Sequence, residues 1–87
     1  MTFMEACKLA DSTFKELGWL GIKYISENDK VWVFINFKNP TFSRIPFIVS
    51  KNNEFEPTLC SDKLLLGRFK CRTEVIIPEE FKIEEGK

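Results

Sequence analysis

Arg68, Lys70 and Arg72 place three cations within five residues, interleaved with Phe69 and Cys71. Alternating basic and aromatic side chains suit single-stranded nucleic acid, where the cations track phosphates and the rings stack on bases. The run is short, and Glu79, Glu80, Glu84 and Glu85 crowd the end of the chain after it. Across the chain 13 basic residues balance 13 acidic ones, so no global field draws nucleic acid or an anionic membrane.

Other reactive chemistry is sparse. The chain has no histidine, which removes the commonest general base and metal ligand. Its three cysteines, Cys7, Cys60 and Cys71, lack metal-ligand spacing and have no histidine partner to activate a thiolate. Their odd number argues against the disulfide framework of a small secreted domain. We read them as reduced thiols of a cytoplasmic protein, with a Cys60–Cys71 bridge as the alternative. The four glycines are isolated, so no loop cradles phosphate. Acidic residues fall on expected helix faces, turns and the tail, where solvation is their usual role. The expectation is a non-enzymatic chain that needs no cofactor and no metal.

With 87 residues there is room for one domain, 1–87, in which 84–87 reads as a frayed tail. No apolar run approaches a membrane span. Thr2 to Leu17 reads as a helix opened by a Thr2–Glu5 capping box and closed at Gly18. Phe3, Cys7, Ala10, Phe14 and Leu17 form its apolar stripe, widened by Ala6 and Leu9. Trp19 to Ser26 reads as a first strand, with Leu20, Ile22 and Tyr24 on one face and an irregularity at Gly21. Glu27 to Asp29 make a turn from residues that tolerate positive φ. Pro46 to Lys51 and Glu54 to Leu59 read as further strands joined through Asn52-Asn53. Pro57 makes the second of them an edge, the natural place for a strand-paired dimer. Residues 60–70 are the least legible. Thr73 to Ile77 reads as the last strand, ended by Pro78, with Phe81 tucking back. The fold class expected is α+β, with one N-terminal helix packed on a four- to five-stranded, mainly antiparallel sheet.

The strand that organises this fold is Val31 to Lys38, a run of β-branched and aromatic residues. Alternation puts Val31, Val33, Ile35 and Phe37 on one face and Lys30, Trp32, Phe34, Asn36 and Lys38 on the other. The Val31 face is wholly apolar and is expected to lie under the helix. The Trp32 face, two aromatics in a polar frame, is expected to be half covered. Trp32, Phe34 and Lys30, joined by Phe42 and Arg44 from the loop at 39–44, are then the candidate partner-binding residues. Packing of Trp32 under that loop, or under Leu64 to Leu66, satisfies the pattern equally.

The helix Thr2 to Leu17, the stretch Val31-Trp32-Val33-Phe34 and the stretch Pro46-Phe47-Ile48-Val49 resemble a family of small immunity proteins from bacterial polymorphic toxin systems. Ser50 and Lys51 stand where that family has Asp, and Asn53-Glu54 replaces its turn glycine. The resemblance implies a protein that binds and blocks a cognate toxin; it assigns no binding residue. The expected function is therefore toxin neutralisation. The alternative is a small nucleic-acid-binding or phage-encoded regulatory module using Arg68, Lys70 and Arg72.

Overall fold

A computed structural model describes residues 1–37, 45–59 and 73–82. Helix α1 spans Phe3–Glu16, and five strands follow: β1 Ile22–Glu27, β2 Val31–Asn36, β3 Phe47–Ser50, β4 Thr58–Leu59 and β5 Thr73–Val75. A 3₁₀ turn at Glu79–Phe81 ends the described chain. The strands form one sheet in the order β4-β3-β2-β1-β5, and every pairing is antiparallel. One helix on a five-stranded antiparallel sheet is the α+β class expected. No helix among the described residues is long and apolar enough to cross a membrane.

Local chemistry sets both ends of α1. Thr2 Oγ1 accepts from the Glu5 N–H at 3.2 Å while the Thr2 N–H donates to Glu5 Oε1 at 2.9 Å, completing the capping box. That bond holds the Glu5 carboxyl below its ordinary pKa. At the other end Gly18 takes φ +76°. The Trp19 N–H reaches the Phe14 carbonyl at 2.8 Å and the Gly18 N–H reaches Lys15 at 3.0 Å, the two bonds of a Schellman cap.

The helix covers the face opposite to the one expected. Ala6, Cys7, Ala10 and Phe14 pack on Ile22, Ile25, Trp32, Phe34, Phe47, Val49 and Phe81. The register explains why this face is the larger core: Phe34 stands between Ile25 and Phe47, and Trp32 stands beside Val49. Three small residues on the helix leave room for these rings. Each such side chain, fully buried, contributes about 1.5–3 kcal/mol. Val31, Val33 and Ile48 form a separate cluster on the second face of the sheet, the one turned away from α1, with Ile35 and Phe55 against it. Leu9 and Leu17, expected in the helix stripe, are exposed instead.

β1 also departs from expectation. It starts at Ile22, and its irregularity lies between Ile22 and Tyr24 rather than at Gly21. The extra residue, Lys23, puts Ile22 under the helix and Tyr24 on the second face, where it pairs with Ile35. The turn after β1 needs no positive φ at Asn28 or Asp29. Instead Asn28 Oδ1 accepts from the backbone N–H of Lys30 at 2.7 Å and of Val31 at 2.8 Å. Asn53 does take positive φ, as expected, but β4 is only two residues long. Phe81 tucks into the main core.

Candidate functional site

The described surface opens into a cleft where β5 parts from β1. The two strands pair over Ile25–Glu27 and Thr73–Val75, after which Ile76 and Ile77 lead away to Pro78. Lys23 and Tyr24 therefore lie along β1 beyond the last β5 pairing. Between the diverging segments is a cleft of about 230 Å³ lined by Lys23, Tyr24, Ile25, Glu74, Val75, Ile76, Ile77 and Lys82.

Strand alternation sorts these side chains. Val75 and Ile77 pack against the helix-side core. Glu74 and Ile76 then fall on the second face, Glu74 paired with Ser26 and Ile76 lining the cleft with Tyr24 of β1. Ile76 is 81% exposed and Tyr24 is 39% exposed. Full exposure of one β-branched side chain forgoes roughly 1.5–3 kcal/mol of burial, so Ile76 leaves that much apolar surface uncovered. Lys23 Nζ lies 5.9 Å from the centre of the Phe37 ring. Lys82 reaches Glu79 at 3.1 Å. Neither Lys23 nor Glu74 forms an ion pair among the described residues. The cleft thus offers apolar walls beside a lysine and a carboxylate that form no ion pair among the described residues.

The residues expected to bind a partner do not assemble there. Trp32 is 9% exposed and Phe34 is fully buried, both beneath α1, so the half-covered aromatic face is corrected to a covered one. Asn36, part of the polar frame around the two aromatics, is itself wholly buried. Lys30 is exposed, at the turn between β1 and β2 and so at the far end of β1 from the cleft. Phe42 and Arg44, and the alternative set Arg68, Lys70 and Arg72, lie outside the described residues, as do Cys60 and Cys71. Among the described residues no group of three or more His, Cys, Asp or Glu side chains could hold a metal ion.

Sequence reasoning missed Tyr24 and Ile76. One signal for Ile76 was present: of the consecutive pair Ile76-Ile77, only one can face the core of an extended segment. Tyr24 carried none, because the inserted Lys23 reverses the face that alternation assigns. Comparisons of the chain with protein families, curated proteins and solved structures find no match.

Proposed function

We propose that the protein is a non-enzymatic binding module that neutralises a toxin domain in the cytoplasm of the cell that makes it. The observation that carries the binding part is exposed Ile76 and Tyr24 lining a cleft whose Lys23 and Glu74 form no ion pair among the described residues. Interfaces are built from such aromatic and aliphatic anchors in a polar rim. The toxin part is supported by the likeness of the helix and of the strands at 31–34 and 46–49 to small immunity proteins. The lack of any histidine fits a protein that works by occlusion rather than by chemistry.

The test is co-expression with the product of the adjoining reading frame. Growth arrest by that product, relieved by this protein, supports the reading. Ile76→Asp is expected to abolish relief while its melting curve matches the parent, because Ile76 supports little of the core. Undiminished toxicity in the presence of the folded parent protein would overturn it.

A further inference from the structure

Along its open side the cleft presents three chemistries in order. Glu74 comes first, then the Ile76–Tyr24 pair, then Lys23. Glu74 and Ile76 are successive same-face positions, about 6.5–7 Å apart, and match two outward side chains of a neighbouring extended chain. Lys23 adjoins Tyr24, and its long side chain carries the third station onward, towards Phe37 opposite Gly21. Ser26, opposite Glu74 in the register, adds no charge to the first station. The Lys23 ammonium is held near the ring of Phe37, at the other end of the series.

Resting on the protein-binding reading above, we infer that the cleft takes an extended strand of its partner whose alternate side chains read base, apolar, acid. The basic residue meets Glu74, the apolar one fills the space between Ile76 and Tyr24, and the acidic one meets Lys23. Charge complementarity at the two ends sets direction and register, while burial of Ile76 supplies the drive. A strand with two like charges leaves one end of the cleft facing its own sign, so the bipolar arrangement also excludes simple acidic or basic segments.

The probe is a cyclic β-hairpin peptide whose outer strand reads Arg-Thr-Val-Thr-Glu, preorganised so that ordering does not mask a weak contact. It is titrated into isotopically labelled protein and followed by amide chemical shifts. Saturable shifts at Lys23, Tyr24, Glu74 and Ile76 are expected, and none along α1. Lys23→Glu, an exposed change that leaves the spectrum dispersed, is expected to weaken binding roughly three- to fivefold, the scale of one exposed ion pair. A second peptide with the glutamate replaced by lysine should bind Lys23→Glu better than it binds the parent. Ile76→Ser should remove binding of both peptides. No saturable shift, shifts centred elsewhere, or indifference to Lys23→Glu would overturn the inference. Toxin neutralisation with no peptide binding would remove the strand site and keep the functional reading. Peptide binding without neutralisation would do the reverse.

Discussion

The Nζ of Lys51 lies 5.3 Å from the centre of the Trp32 ring, and the same ammonium reaches Glu27 at 3.5 Å. Phe3 meets the indole from the helix side, with ring centroids 5.8 Å apart. Trp32 is therefore enclosed by a helix residue, a lysine from the turn after β3 and the main core, and only 9% of its surface is left exposed. An aromatic on a strand is an anchor for binding or for folding according to what covers it.

Trp32→Ala is accordingly expected to act on stability. Removing a large buried aromatic costs about 3–5 kcal/mol, a large share of what a domain of this size has. Denaturant titration should show the loss directly. Lys51→Met should cost only about 0.5–1 kcal/mol, the scale of a partly exposed cation–π contact. A Trp32→Ala protein that melts like its parent would show that the indole lies outside the core.

Much of the fold was legible because its signals are local. The Thr2–Glu5 box and Gly18 bracket α1, and the β-branched run at 31–36 admits only a strand. The choice of covered face was not legible in that way. It depends on which rows β2 shares with its neighbours, and Phe47 and Val49 reinforce the Trp32 and Phe34 rows only in the register adopted. Small residues at Ala6, Cys7 and Ala10 hint at large rings opposite, a size match that hydrophobic periodicity does not express. The cleft was less legible still. It depends on one inserted residue at Lys23 and on β5 returning from far along the chain to pair with β1.

Asn36 is fully buried, and neither its Oδ1 nor its Nδ2 has a hydrogen-bond partner among the described residues. Such orphaned amide groups cost about 1–3 kcal/mol in desolvation. Val is closer to the shape of a packed strand residue and has no polar atom to satisfy. Asn36→Val is expected to raise the melting temperature. A lower one would show that the amide is satisfied by an internal water.

Cys7 is completely buried in the helix-side core, and its thiol is pushed up from the ordinary 9.0 to about 11. Burial is the main cause, with the charges of Glu80 and Asp11 adding to it. Below pH 9 the thiol keeps its proton in both folded and unfolded chains. Between 9 and 11 only the unfolded chain releases it, so stability falls as pH rises through that window. Cys7→Ala should therefore flatten the decline of melting temperature across this range, whatever its effect on the absolute value. Equal slopes in parent and variant would show that Cys7 titrates alike in both states.

The turn between α1 and β1 holds two residues at positive φ, Gly18 at 76° and Leu20 at 66°. They should respond oppositely to the same kind of change. A Cβ at Gly18 would meet nothing within 4 Å, so the cost of Gly18→Ala is one of backbone conformation alone. For an L-residue that cost is about 1–2 kcal/mol. Leu20 already bears the strain, and it is exposed, so its side chain returns little burial. Leu20→Gly relieves the left-handed penalty but frees the unfolded chain by about 0.5–1 kcal/mol, leaving a small net gain. For a domain this small, 1 kcal/mol moves the midpoint by roughly 4–8 °C. Thermal melts should thus place Gly18→Ala several degrees below the parent and Leu20→Gly at or slightly above it. Leu20→Asn, which tolerates the left-handed region without glycine's entropy, should stand higher than Leu20→Gly. A destabilised Leu20→Gly would mean that the leucine side chain packs on the turn and that its conformation is held for that contact.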